Sequence, residues 1–549
     1  KNTNNQPNGT IADNGVGKMS DFNKTTLQQI KKLGANTIWY TGIIRHATCT
    51  DYSAFGIPRQ TPRVVKGKAG SPYAITDYYD VDPDIADNVT KRMNEFEDLV
   101  KRTHNEGLKV IIDFVPNHVA REYKSICKPN GVKDLGETDD KNKHFDANNN
   151  FYYCPNEPLD TSAIPRSINN EATKPDYKSA EYTETVARCT GNDRFDAHPQ
   201  ANDWYETIKL NYGIDYCDWG GRSNHFNPIP DTWHKMTDIL LFWAAKGIDG
   251  FRCDMAEMVP HEFWKYATEK VKAQYPHIVF IGEVYDPNQY RTYIAAGFDY
   301  LYDKVGMYDC LRDVMCEHRS ANDITRQWQA TDDISKHVLY FLENHDEQRI
   351  ASNFFCGNMQ KGIPALIVAA LFQCNPIMIY AGQEFGEKGM DGEGFSGIDG
   401  RSTIFDYWSI DAIRKGFFER SKLSAEQVQL EKEYRKILTL CNSEKAISNG
   451  KTFDLMYANE TNDAFDSNKQ FAFLRSSNNT TLLIVANFSK TEAHIRVNIP
   501  AHAFDYMEIK EGKKNMVDLL SGNHQSVVLQ KDSSIEIVVP ALNGRVYKF

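Results

Sequence analysis

Four acidic residues end four separate apolar runs in this chain. Asp113 closes Leu108-Lys-Val-Ile-Ile-Asp-Phe114, Asp254 follows Gly247-Ile-Asp-Gly-Phe-Arg-Cys253, Glu283 closes His277-Ile-Val-Phe-Ile-Gly-Glu283, and Asp346 comes directly after His345 beyond Val338-Leu-Tyr-Phe-Leu-Glu-Asn344. A strand alternates its side chains, so Gly250, Arg252 and Asp254 face one way and Asp249, Phe251 and Cys253 the other. Charges are rarely buried without partners, so an arginine and an acid on one side of a strand end point to a lined pocket. Paired carboxylates on one face do a specific chemistry. One attacks or stabilises an oxocarbenium-like centre while the other, held protonated by its surroundings, protonates the leaving oxygen. Beside Arg252, Asp254 is expected to stay ionised; Glu283, leaving the apolar run Val279, Phe280 and Ile281, is the candidate for a raised pKa. A single strand-end acid more often caps the next helix or joins an ion pair, and it is the recurrence at four strand ends that weakens that reading.

Bringing these acids together requires parallel strands with one ligand face. Seven runs read as buried strands, starting at about 36, 108, 248, 277, 299, 338 and 376. Amphipathic helices fall between them. Phe22, Leu27, Ile30 and Leu33 make one helical face ending at Gly34, and Met93, Phe96, Leu99 and Val100 make another within 89–106, capped by Gly107. Asp231 is placed as the N-cap of a helix carrying Trp233, Met236, Leu240 and Trp243, and 261–275 gives a further helix. Repeated β–α order over this length means a parallel sheet with helices outside, whose C-terminal strand ends form the ligand face. Residues 115–230 break the pattern; their aromatics, among them Tyr123, Phe151, Tyr152, Tyr153, Trp204 and Tyr205, favour an ordered insert over a bare loop. A helix over about 424–441 ends the alternating part, and beyond about 445 short alternating runs such as Phe471–Leu474, Thr481–Val485 and Ile535–Val539 read as an antiparallel β domain.

Composition narrows the function classes. The chain has 549 residues, 41% hydrophobic and 25% charged, the averages of a soluble globular protein large enough for several domains. No apolar run reaches the roughly 18–20 residues of a membrane span. A net charge of −11 without clustered Lys and Arg argues against a nucleic-acid partner. The eleven cysteines are scattered with no CxxC pair, so they read mostly as buried thiols rather than a zinc site. A doubly wound nucleotide enzyme would need a GxGxxG or GxxxxGK turn after a strand, and the chain has neither.

The blocks Asp113-Phe-Val-Pro-Asn-His118, Gly250-Phe-Arg-Cys-Asp254, Gly282-Glu283 and Asn344-His-Asp346 resemble, in order and separation, the four sequence blocks of the α-amylase family of retaining glycoside hydrolases. The resemblance implies a (β/α)8 barrel with an inserted domain after the third strand and a C-terminal antiparallel β-sandwich domain. The barrel would comprise 1–114 and 231–444, the insert 115–230 and the β domain 445–549. It further implies Asp254 as nucleophile, Glu283 as general acid/base and Asp346 as the third carboxylate. Arg252 would orient Asp254, His118 and His345 would bond the sugar, Tyr73 would stack on it, and Asp113 would be structural. The activity implied is retaining hydrolysis of α-1,4-linked glucans or malto-oligosaccharides. A transglycosylase or α-1,6-acting relative would use the same residues, and a glucan-binding protein without chemistry is the reading from another class.

The chain also departs from the family pattern. Many relatives carry Lys-His at the third and fourth positions after the nucleophile, where this chain has Glu257-Met258. In the family, the fourth of these lends a backbone carbonyl to a calcium ion shared with the Asn of the first block, here Asn117. Residues Asp13-Asn-Gly-Val-Gly17 resemble a second calcium loop, with Lys18 where an acid is usual. Only seven of eight barrel strands are counted, and the first is expected upstream of Lys1. Trp219, Trp233, Tyr407 and Trp408 are candidate sugar platforms. An α-glucan or malto-oligosaccharide is the expected partner of a monomer with no nucleic acid and no membrane span, exported to the periplasm, cell surface or medium.

Overall fold

The computed structural model describes residues 5–165, 182–389, 397–478 and 480–549. Seven parallel strands form one sheet in chain order. They are β1 Thr37–Tyr40, β2 Lys109–Phe114, β3 Gly250–Cys253, β4 Val279–Gly282, β5 Tyr300–Tyr302, β6 Val338–Phe341 and β7 Ile377–Met378. These are the seven runs picked out in the sequence, and together with the helices outside them they make the barrel. Among the described residues before Thr37 there is no strand; a helical turn at Ile11–Asn14 and the helix Lys24–Leu33 occupy that stretch. Gly34, left-handed at φ 116°, stops that helix where a side chain would strike Leu438.

Helices alternate with the strands as the periodicity requires. Arg92–Asn105 buries Phe96, Leu99 and Val100, and Asp231–Ala244 buries Trp233, Met236, Leu240 and Trp243. The Trp243 indole, fully buried, donates to the Tyr78 carbonyl at 2.7 Å, so its burial leaves no orphan N–H. Asp231 differs from its expected place. Pro230 is the cap residue and Asp231 the first helical position, where its carboxylate receives Lys235 at 2.9 Å, one turn on, instead of a backbone amide.

Register carries the strand-end acids into one plane. Arg252 on β3 pairs with Asp113 on β2 and Ile281 on β4, and Cys253 pairs with Gly282. The ladder continues one residue further on each side: the Asp254 amide donates to the Phe114 carbonyl at 2.9 Å, and the Glu283 amide to the Cys253 carbonyl at 3.2 Å. A Cβ on Gly250 would lie 2.6 Å from the Val279 carbonyl oxygen, so a side chain there would displace the strand that carries Glu283.

His118–Ala120, running on from β2, pairs antiparallel with Thr207–Lys209, and Tyr152, Cys154, Leu159, Ala187 and Cys189 form a small core of their own. Downstream, a six-stranded antiparallel sheet and the pair Ala493–Ile499 with Ser533–Val539 make the C-terminal β-sandwich. The helix Ala425–Ser443, opened by a capping box between Ser424 and Gln427, packs before it. All cysteines except Cys127 and Cys217 are buried or half-buried. No helix among the described residues is long and apolar enough to cross a membrane.

Candidate active site

Arg252 is the centre of the strand-end cluster. Its side chain is fully buried, and its guanidinium serves three carboxylates: Asp254 at 2.9 Å, Asp113 at 3.3 Å and Glu283 at 2.6 Å. Its Nε donates to the Tyr302 hydroxyl at 3.2 Å, and the rings of Trp39 and Tyr73 lie 5.1 and 5.3 Å away. Five N–H groups in a rigid fork allow one arginine to hold this many partners, which a lysine could not. Asp113 also accepts from the Trp39 indole at 2.8 Å, which fixes it as a wall of the cluster.

Glu283 is oriented at both oxygens. Oε2 accepts from Arg252 and from the Met255 amide at 2.9 Å, while Oε1 accepts from the Tyr285 hydroxyl at 2.7 Å. Met255 donates that amide from a left-handed backbone at φ 43°, a conformation costly for a residue with a Cβ. The turn after Asp254 is therefore held in a strained shape that points an N–H at Glu283.

Asp346 stands apart from the buried pair. Its side chain is 42% exposed and lies 3.1 Å from His345 Nε2, which also bonds the Tyr73 hydroxyl at 2.7 Å. Tyr73 stacks on the His345 ring with centroids 5.1 Å apart. The Asn344 side chain accepts from the Asp346 and Glu347 amides, closing the turn that presents Asp346. His118 is buried, with Nδ1 3.1 Å from Asn117 Nδ2, and lies against Trp204. Thus Tyr73, Arg252, Asp254, Glu283, His345 and Asp346 meet in one site, while His118 lies on the strand that runs on from β2 into the insert.

Electrostatics separate these groups. Burial pushes Asp254 up to about 8; Arg252 opposes this, but the charges of Glu283, Asp346 and Asp113 add to it. The sequence reading expected Asp254 to stay ionised beside Arg252. The difference arises first because burial disfavours the charged form, and then because one guanidinium is divided among three acids. Burial works against ionisation of Asp346 too, yet the charges of His345, Arg252 and Arg401 draw it down to about 2. Burial, with the charges of Lys209 and Lys66, takes His118 down to about 3, so its ring is neutral.

The metal expectation rests on Asn117. Asn117 is buried; its Nδ2 donates to the Gly191 carbonyl at 2.8 Å and its Oδ1 accepts from the ammonium of Lys209. That ammonium also reaches the Met258 carbonyl at 3.2 Å and Asp193 Oδ1 at 2.7 Å. A calcium ion takes about six to eight oxygens, and here the point between Asn117 and the Met258 carbonyl is filled by a cation of the chain itself, so this donor set does not fit calcium. Lys18 donates to the Asp84 and Ala86 carbonyls at 2.6 and 3.0 Å.

Glu257, the departure after Asp254, accepts from the Tyr285 and Asp286 amides at 2.9 and 3.0 Å. It braces the loop that follows Glu283 instead of facing the acids. Trp39, Tyr285, Tyr302 and Lys209 were not singled out in the sequence. The first three are strand or loop aromatics indistinguishable there from core, and nothing in the pattern flagged the lysine. Of the aromatic platforms considered, Trp233 and Tyr407 are buried with their polar atoms satisfied by the Tyr212 carbonyl and Asp84, Trp408 is half-buried, and Trp219 is fully exposed.

Comparison with known proteins agrees with this geometry. The family model described as alpha amylase, catalytic domain, matches residues 12–185 and 227–490, and that described as alpha amylase, C-terminal all-beta domain, matches 462–549. The chain is 23% identical over 487 residues to alpha-amylase 3 of Dictyoglomus thermophilum, covering 83% of this chain and 82% of that one. It is 22% identical over 489 residues to a cyclomaltodextrinase of Geobacillus thermopakistaniensis, covering 88% and 66%. Among solved structures, a noncanonic maltogenic alpha-amylase from Thermotoga neapolitana superposes with a TM-score of 0.62 at 20% identity, over 97% of this chain and 95% of that one. An alpha-amylase from Geobacillus thermoleovorans, solved with acarbose, gives 0.62 at 18% identity over 97% and 92%.

Proposed function

The chain belongs to the alpha-amylase family of glycoside hydrolases, and from that premise we propose that it cleaves α-1,4-glucosidic bonds in starch-like glucans or malto-oligosaccharides with retention. The observation that carries this reading is the single guanidinium of Arg252 holding Asp254 and Glu283 on adjacent strands, within 2.9 and 2.6 Å. Asp254 is the nucleophile and Glu283 the general acid/base. In the resting site the raised Asp254 holds a proton near neutral pH. A sugar whose anomeric carbon develops positive charge favours ionised Asp254.

The first step forms a bond between an Asp254 oxygen and the anomeric carbon as the glycosidic C–O bond breaks, and the Glu283 proton passes to the leaving oxygen. In the second, Glu283 takes a proton from water, the water oxygen bonds the anomeric carbon, and Asp254 leaves with its electron pair. Asp346, ionised and exposed, and neutral His118 bond sugar hydroxyls, and the Tyr73–His345 stack forms the floor under the ring. Product analysis on starch, pullulan and maltotriose tests the reading. Short maltooligosaccharides released first as the α-anomer support it; β-anomers, or cleavage confined to α-1,6 bonds, would sink it. Longer products built from maltotriose would assign transfer rather than hydrolysis.

A further inference from the structure

Lys209 sits on the insert strand Thr207–Lys209, in a stretch, 186–226, outside the catalytic-domain match. Its side chain is 3% exposed, a burial that charged residues tolerate only when paired. An ammonium has three N–H donors, and three oxygens meet this one: Asn117 Oδ1 from the end of β2, Asp193 Oδ1 from the insert, and the Met258 carbonyl from the turn after Asp254. The partners come from three separate parts of the chain, 92, 49 and 16 residues away, so the contact joins the insert to two loops of the site. Asn117 is next to His118, which pairs with Lys209 in the insert sheet. The Met258 carbonyl belongs to the turn whose Met255 amide orients Glu283.

We infer that the ammonium of Lys209 does in this chain what a divalent cation between Asn117 and the Met258 carbonyl would do, tying the insert to the catalytic face without calcium. One positive charge faces the single carboxylate of Asp193, where an added divalent ion would be repelled by the ammonium and find few free oxygens. The inference rests on the geometry around Lys209 and not on the proposed substrate, and it is read by melting temperature, so its failure is distinct from failure of the hydrolytic reading.

The test compares thermal unfolding of the full chain and of Lys209→Ser in EGTA and in millimolar calcium. The wild-type midpoint should be the same in both, because the tie is built into the chain. Lys209→Ser should melt several degrees lower in EGTA, since removing one partner leaves Asp193 and Asn117 unpaired, and calcium should raise the variant but not the wild type. A wild-type midpoint that falls in EGTA and recovers with calcium would overturn the inference, as would a variant that melts with the wild type in both conditions. The wild-type comparison decides even if the variant does not fold.

Discussion

Two buried cations organise this molecule, and they are balanced differently. Lys209 has three oxygens around its three protons, one of them a carboxylate oxygen. Arg252 is divided among Asp113, Asp254 and Glu283, so negative charge exceeds positive and Asp254 is pushed up to about 8, with burial as the first cause. A saturated cluster fastens two parts of a fold. An under-neutralised one stores a proton at a position where it can be delivered, at the expense of stability. The two clusters are joined by the turn Met255–Met258, whose Met255 amide bonds Glu283 and whose Met258 carbonyl accepts from Lys209.

The comparison breaks first at Asp254. Asp254→Asn should lose roughly 10⁴-fold or more in kcat, read from initial rates on maltotriose. The same variant should melt higher than the wild type. Its raised native pKa means that the folded chain binds more protons than the unfolded chain between about pH 4 and 8, so stability falls as pH rises through that window. The stability gained by Asp254→Asn should therefore be near zero at pH 4 and largest near pH 8, roughly 2–4 °C or more by calorimetry. A margin that shrinks with rising pH would contradict the imbalance.

Arg252→Met should cost about 3–5 kcal/mol by denaturant titration at neutral pH, because it leaves buried carboxylates unpaired, and the loss should lessen toward pH 5 as they protonate. A loss independent of pH would mean that the arginine acts by packing alone. Glu283→Gln should lower kcat by about 10²–10⁴-fold, with substrates bearing a good leaving group least affected in the first step. The smallest effect is at Tyr73→Phe, which removes the hydroxyl bond to His345 but keeps the stack; kcat/KM should fall by roughly 5–10-fold, about 1 kcal/mol.

The barrel strands were legible because each is a short β-branched or aromatic run bounded by glycine or polar residues. The strand-end acids were legible because they end those runs in recognisable blocks. What escaped depends on distance. Alternation shows that Arg252 and Asp254 share a side, but not that Asp113 and Glu283 draw on the same guanidinium from 139 and 31 residues away, so the sense of the Asp254 shift was missed. Lys209 escaped because it lies in an insert without periodicity and finds its partners only in the fold. Glu257 reads in the sequence only as a departure from the family pattern, whereas its bonds to two backbone amides show that it braces a loop. Asp231 reads as a cap because the preceding Pro230 has no polar side-chain atom to play that part.

The central claim is that Asp254 and Glu283 divide one reaction between nucleophile and acid/base. Its most direct test is mass spectrometry of Glu283→Gln after reaction with an α-glucosyl fluoride, whose leaving group needs no proton. The account predicts a glycosyl unit covalently attached to the peptide that carries Asp254, because the first step proceeds while the water of the second is no longer activated. Attachment at Asp113 or Asp346, or turnover to β-anomeric product with no adduct on Asp254, would contradict it.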